Sequence, residues 1–301
     1  MNAPETTRAG FIAVVGAPNV GKSTLINRLV GTKVSIVSPK VQTTRTRVLG
    51  ICMAGAAQVI FIDTPGIFEP RRRLDRAMVA AAWSGASDAD SVLLMVDASR
   101  GIDSNTRAIL DKLVKSERRV VLAINKVDLV KKDALLELTA KLTQYDVFDE
   151  IFMISAETGD GVDDLLAHLT AGVPEGPWLF PEDQVSDMPE RLLAAEITRE
   201  KLYLQLRQEL PYSATVETES WEDKEDGSVR IDQVIYVQRD SQKAIVLGKQ
   251  GTRVKALGAA ARKELETILG CRVHLFLFIK VREKWVDDPD RYRDWGLDYN
   301  A

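Results

Sequence analysis

The sequence is poor in the residues that build metal and disulfide frameworks. Its 301 residues include two cysteines, Cys52 and Cys271, and two histidines, His168 and His274. No spacing among these four matches a zinc ligand set or a disulfide scaffold, so reduced thiols inside the cell are expected. Long apolar runs are also missing. A membrane-spanning helix needs about 18 or more consecutive apolar residues. The longest candidate, VHLFLFIKV from Val273, is far shorter, carries a His and a Lys, and reads as a strand. The N-terminal stretch MNAPETTRAG has no apolar signal core. These absences predict a cytoplasmic protein with no transmembrane segment. A formal net charge of -4 does not mark the whole molecule as a polyanion binder. There is no internal repeat and no low-complexity tract.

What the chain does have is length for two domains. From Phe11 to about Gly172, apolar runs alternate with helical stretches. FIAVV (11–15), QVIFID (58–63), SVLLMVD (91–97), RVVLAIN (119–125) and IFMIS (151–155) read as strands buried on both faces. Helices are expected near Gly21 and over about 74–84, 104–115, 132–143 and 162–170. That alternation predicts a doubly wound α/β domain over 8–173. Four prolines fall between Gly172 and Glu190, and residues 174–190 read as a linker. Beyond it, over 191–301, the order becomes helix (about 190–208), strand (214–223), strand (229–238), short helix, glycine loop, longer helix and strand (271–282). This is a smaller α+β domain with a C-terminal tail.

Gly16–Ser23 reads GAPNVGKS and satisfies G-x-x-x-x-G-K-[ST] between a strand and a helix. Glycines let backbone N–H groups converge on phosphate oxygens, and the helix N-terminus favours the negative charge. Within this loop Gly16, Asn19, Gly21, Lys22, Ser23 and Thr24 are candidate nucleotide contacts. Lys22 is suited to the terminal phosphates and Ser23 to Mg2+. DTPG (Asp63–Gly66) follows a strand. Asp63 is suited to holding the metal, and Gly66 to offering its N–H to the γ-phosphate. NKVD (Asn125–Asp128) also ends a strand. Asp128 can pair with the N1–H and amino group of guanine, a pattern that adenine lacks. The stem of Lys126 can cover the base. SAE (Ser155, Ala156, Glu157) offers a backbone N–H to the base carbonyl.

This set, in this order, resembles the translation-factor class of GTPases. On that resemblance QTTRTR (Gln42–Arg47) is the first switch, in which a threonine meets Mg2+ and the γ-phosphate. Thr43 and Thr44 both fit, and Thr44 is favoured because it directly precedes Arg45. Lys22, Thr44 and Gly66 are then the catalytic candidates, and Ser23, Thr44 and Asp63 the metal ligands. Ile67 follows DTPG where Ras-like switches carry a water-orienting glutamine, so slow intrinsic hydrolysis is expected. In related GTPases an asparagine at the position of Asn19 helps bind potassium, which adds K+ to GTP/GDP and Mg2+ as an expected ligand.

The second region carries segregated charge. Arg239–Arg282 holds ten Lys/Arg against three Asp/Glu, in a chain that is negative overall. Within it lies LGKQG, a G-x-x-G loop between two helices. Basic charge around such a loop is the footprint of phosphate-backbone binding. The element order with this loop resembles a type II KH domain, which grips single-stranded RNA. Gly248, Lys249, Gln250, Gly251, Arg253 and Lys255 are the candidate RNA contacts. On the last strand Val273, Leu275, Leu277, Ile279 and Val281 should face the core. His274, Phe276 and Phe278 point the other way; packing is the first reading for the two phenylalanines, and base stacking the second.

A P-loop GTPase domain with a mixed, mostly parallel sheet, followed by a type II KH domain, is similar to the Era family of bacterial GTPases. The likeness runs from about Phe11 to Tyr299 and includes GAPNVGKSTL, QTTRTR, DTPG, NKVD, SAETGDGV, PEGP, FPED, ELPYSATVE and VDDPDRYRDWG. The resemblance implies a monomeric GTP-hydrolysing switch that binds the 3′ end of 16S ribosomal RNA and assists 30S subunit assembly and maturation. It also implies peripheral association with the inner face of the cell membrane. A competing reading keeps both domains but makes the nucleotide site a structural holder with negligible turnover. A metabolic P-loop kinase is disfavoured, because no acceptor-substrate site is evident and the basic region would be left unexplained.

Overall fold

A computed structural model of the chain describes residues 6–40, 43–206, 214–283 and 285–301. The chain folds into two compact units. The first comprises Met1–Ser35, Thr44–Asp187 and Trp295–Ala301; the second comprises Ile36–Thr43 and Met188–Asp294.

In the first unit a six-stranded sheet has the order β2-β3-β1-β4-β5-β6. The strands are β1 (Arg8–Gly16), β2 (Val48–Ala54), β3 (Ala57–Asp63), β4 (Ser91–Asp97), β5 (Val120–Asn125) and β6 (Phe148–Ile154). All pairings are parallel except β2 with β3. Val59, Ile60, Phe61 and Ile62 of β3 are all buried, so neither face of this strand meets water. That explains why its sequence does not alternate. Crossover helices cover the sheet: α1 (Lys22–Val30), α2 (Arg73–Asp88), α3 (Ser104–Ser116), α4 (Lys132–Thr143) and α5 (Val162–Gly172). Leu25, Ile26 and Leu29 put helical spacing on the buried side of α1. At the start of α3 the Asp103 carboxylate accepts from Thr106 N–H at 2.8 Å, a cap worth about 1 kcal/mol.

β1 lies between β3 and β4, so the connections leave it in opposite directions. Ligands of doubly wound sheets bind at the C-terminal ends of strands beside such a switch point. Gly16, Asp63, Asp97, Asn125 and Ile154 end the five parallel strands there.

In the first unit two features depart from the sequence expectations. β2 is a strand that the apolar pattern does not announce. Residues 174–187, expected as linker, run along the first unit instead. Ile51 N–H donates to Val185 O at 2.9 Å, and Leu49 N–H to Asp187 Oδ1 at 3.0 Å, which covers the β2 edge. The buried Gln58 side chain bonds Leu179 N, Phe180 N and Phe180 O.

The second unit has the order α6 (Glu190–Gln205), β7 (Ala214–Asp223), β8 (Val229–Val237), α7 (Asp240–Leu247), α8 (Thr252–Leu269), β9 (Val273–Val281) and α9 (Pro289–Asp294). The last two residues of the expected helix over 190–208 lie outside the described residues. So do Gln42 of the QTTRTR stretch and the ELPYS part of ELPYSATVE. Strands pair β7-β8 antiparallel and β8-β9 parallel. The helices supply Leu202, Val246, Leu257 and Leu265 to the apolar core against Ile231, Ile235 and Val237. Val273 is buried, and Leu275, Leu277, Ile279 and Val281 pack against that core from β9. Phe276 and Phe278 do not pack as first expected. They are 45% and 50% exposed, and Arg230 stacks over Phe276 at 4.8 Å.

Ile36 is buried in the second unit beside Ala194 and Ile197 of α6. Val37 N–H donates to Glu200 Oε1 at 2.8 Å. The buried Arg199 guanidinium donates to Thr43 O and pairs with Glu196. Lys40 Nζ caps the end of α6 through Tyr203 O and Leu206 O.

Candidate functional site

The phosphate loop joins β1 to α1. Gly16, Asn19 and Gly21 have φ of 157°, 64° and 101°, and Gly21 caps α1 with no side-chain hydrogen bond. The first-turn amides of α1 therefore face an open position suited to an anion. A Cβ on Gly21 would stand 2.3 Å from Asn125 Nδ2, so only glycine fits beneath the base loop. Lys22 is buried, with Nζ 3.3 Å from both Gly16 O and Ala17 O. Burial lowers its pKa to about 8, against the opposing pull of the Asp63 carboxylate. Thr24, two residues further, is half-buried in the first turn.

Asp63 is fully buried, and burial raises its pKa. Hydrogen bonds and the Lys22 charge oppose that rise. Its Oδ2 accepts from Ser23 Oγ at 2.7 Å, Ser35 Oγ at 2.7 Å and Thr44 Oγ1 at 3.3 Å. Ser23 and Thr44 hydroxyls are 3.1 Å apart. Asp63 Oδ1 has no hydrogen-bond partner among the described residues. Hard oxygen donors around a buried, half-satisfied carboxylate fit Mg2+. Thr44 faces this cluster, whereas Thr43 Oγ1 donates to Lys40 O at 2.7 Å.

Gly66 abuts the phosphate loop: a Cβ there would come within 2.9 Å of Pro18 Cα. Ile67 N–H donates to Gly16 O at 3.0 Å, while its side chain is buried in the core. An apolar side chain cannot polarise an attacking water.

At the base end, Asn125 Nδ2 donates to Val20 O at 2.7 Å, and its Oδ1 accepts from Ala156 N–H at 2.8 Å. The Ala156 amide is therefore engaged within the protein. Ser155 is buried and turns the loop, its Oγ accepting from Thr158 N–H at 3.1 Å. Lys126, at φ 66°, donates from Nζ to Asn19 O at 2.8 Å and to Asp97 Oδ2 at 2.6 Å. Asp128 stands exposed in the following turn, Val127–Leu129.

Several contributors carry no motif signal. Ser35 holds Asp63 from a loop that Asn27 fixes through Val34 N, Ser35 N and Ser35 O. Arg28 of α1 donates to Ala156 O and Glu157 O and so ties down the base loop. Only their placement in the fold exposes these roles.

In the second unit, Gly248 links α7 to the loop with φ 70°, and a Cβ there would lie 2.7 Å from Arg253 Cβ. Gln250 and Gly251 also have positive φ, at 52° and 76°. This bend exposes Lys249 and Gln250 ahead of α8, whose N-terminus has no side-chain cap. Lys255 is exposed on the first turns of α8. Arg253 is also exposed, but its Nη1 is tied back to Ile245 O at 2.6 Å.

A phosphate loop, a buried strand-end aspartate and an N-K-x-D loop on one sheet, followed along the chain by a KH-type unit, define an RNA-associated P-loop GTPase. Residues 11–126 match the family described as 50S ribosome-binding GTPase, and residues 209–286 match the KH domain. GTPase Era from Rhizobium meliloti and from Brucella suis are each 60% identical over 293 residues. Those matches cover 97% of this chain and 94% of each relative. Two solved structures superpose with a TM-score of 0.91 at 41% identity, covering 96% of this chain and 99% of theirs. One is a variant of Aquifex aeolicus Era bound to GDP·AlF4−; the other is Era with MgGDPNP and nucleotides 1506–1542 of 16S ribosomal RNA. The chain belongs to the Era GTPase family and is an enzyme that hydrolyses GTP. Among the described residues, no helix is long and apolar enough to cross a membrane.

Proposed function

We propose that this chain is a GTP-hydrolysing switch whose KH unit binds the 3′ end of 16S ribosomal RNA and assists 30S subunit assembly and maturation. In this reading Gly16–Thr24 cradles the phosphates, and Asp128 reads guanine beside Asn125, Lys126 and the 155–157 loop. Ser23, Thr44 and Asp63 hold Mg2+, which neutralises phosphate charge when bound. The Lys22 ammonium and the Gly66 amide stabilise negative charge developing on the transferred phosphoryl group. Gly248–Gly251, Arg253 and Lys255 follow the RNA backbone. One observation carries the coupling between nucleotide and RNA. Ile36–Thr43 groups with the KH unit, and Thr44, the next residue, stands against Ser23 and Asp63. In this reading a ligand that moves Thr44 acts on the adjoining segment, which Arg199 and Glu200 hold.

The finer assignments belong to the same reading. Asn19 takes part in binding K+, and the protein is a monomer that associates peripherally with the inner membrane face. Hydrolysis should run faster in K+ than in Na+ at equal ionic strength; equal rates would remove the role given to Asn19. Lys22→Ala should abolish tight GTP binding or turnover, and an unchanged rate would refute the phosphate-loop assignment. The burial of Ile67 favours a second reading, a mainly structural nucleotide site with negligible turnover. Single-turnover hydrolysis with and without RNA separates the two: a rate that stays negligible in both favours the second.

A further inference from the structure

Three successive carbonyls of the phosphate loop are held from outside. Pro18 O accepts from Arg100 Nη1 at 3.2 Å, Asn19 O from Lys126 Nζ at 2.8 Å, and Val20 O from Asn125 Nδ2 at 2.7 Å. A trans peptide plane carries its N–H opposite its C=O. Pinning these carbonyls outward therefore turns the amides of Asn19, Val20 and Gly21 inward. Asn125 and Lys126 belong to the base loop described above. Arg100 belongs to no motif.

The middle residue of the three is the strained one. Asn19 sits at φ 64°, a left-handed conformation that side-chain-bearing residues rarely adopt and that persists only where neighbours enforce it. The peptide planes on its two sides are those gripped by Arg100 and Lys126. Both cations rest on one carboxylate. Asp97 Oδ2 lies 2.6 Å from Lys126 Nζ and 3.8 Å from Arg100 Nε. Its Oδ1 is fixed by Ser99 N at 2.9 Å and Ser99 Oγ at 2.6 Å, and the residue is 2% exposed. A buried anion at the end of β4 thus anchors a clamp on both flanks of Asn19.

We propose that Arg100 is a positioning residue for nucleotide binding: by holding the Pro18 carbonyl it fixes the Pro18–Asn19 peptide with its amide turned toward the phosphates. Pro18 is also the residue against which Gly66 is packed, so the same contact sets the surface that the Asp63–Gly66 segment leans on. The proposal rests on the reading of Gly16–Ser23 as the phosphate site. Failure of the wild-type chain to bind GDP would strike that reading and not this one.

The test compares full-length wild type, Arg100→Met and Arg100→Lys. GDP release is followed with a fluorescent analogue, and the environment of the bound β-phosphate by phosphorus NMR. Arg100→Met should release GDP about fivefold faster, the loss expected from one hydrogen bond of ordinary strength. Its β-phosphate resonance should move. Arg100→Lys keeps an N–H donor only one atom shorter than Arg100 Nη1 and should recover most of both properties. Preference for guanine over xanthine should stay unchanged. Arg100 is 47% exposed, so the melting temperature should hold. Unchanged release and resonance in Arg100→Met would overturn the proposal. So would Arg100→Lys behaving like Arg100→Met, since restoring a donor of similar reach would then make no difference. A fall in melting temperature matching the loss of affinity would overturn it too, by making the role one of general stability.

Discussion

The titration of Lys22 gives the reading of the phosphate loop a quantitative consequence. This ammonium is buried against the carbonyls of Gly16 and Ala17, and burial lowers its pKa to about 8. Phosphate oxygens favour the charged form, so nucleotide binding must raise that pKa. The bound state then holds its proton more tightly than the free state. Affinity is full below about pH 8 and is lost as pH rises from there toward the pKa of the bound state. At about one pH unit above the free-state pKa, roughly a tenth of the free protein carries the proton, which costs about tenfold in affinity. The assay is calorimetric titration with GDP in chelator, which removes Mg2+ as a variable. Lys22→Arg is the control, because its guanidinium stays charged and the base and phosphate titrate identically in both proteins. The wild-type affinity divided by the control affinity should fall about tenfold between about pH 7 and about pH 9. A ratio that stays flat would show that Lys22 keeps its proton in the free site, and the account of its burial would be wrong.

Two further outcomes test the metal and base ends of the site. Ser35→Ala removes a 2.7 Å hydrogen bond to the buried Asp63 carboxylate, worth about 1–2 kcal/mol. Mg2+ affinity in the presence of GDP should weaken about fivefold to thirtyfold, with metal-free GDP binding little changed; equal Mg2+ affinity would remove Ser35 from the site. Asp128→Asn should shift preference from guanine toward xanthine nucleotides, and unaltered base selectivity in competition assays would count against the assignment of Asp128.

The legible parts of the molecule are those encoded locally. The strands of the first unit announce themselves because each is apolar on both faces, and the phosphate loop because glycines are required at its turns. β2 is hidden because it is an antiparallel edge strand interrupted by Gly50. That glycine is there for packing: a Cβ on it would lie 2.7 Å from Ile26 Cγ2 of α1. Ser35, Arg28 and Arg100 are silent for a different reason. Each acts on a residue distant in sequence, and nothing in its own neighbourhood marks it. The charged residues of the second unit mislead in another way. Arg199 is fully buried, stacked over Tyr203 at 5.1 Å, and Arg291 is buried between Trp285 and Tyr236. Composition alone would place both in water. Phe276 and Phe278 show the converse, since strand alternation tells which residues share a face and not which face is covered.

The central claim is that nucleotide state sets RNA affinity. The most direct measurement is the affinity of the full-length protein for an RNA carrying the 3′ end of 16S ribosomal RNA, with a GTP analogue and then with GDP. Gly251→Asp serves as the control for the KH loop. Coupling between sites typically amounts to about 1–3 kcal/mol. The account predicts RNA binding at least about fivefold tighter with the GTP analogue, and weak in both states for Gly251→Asp. Equal wild-type affinity in the two nucleotide states would contradict it.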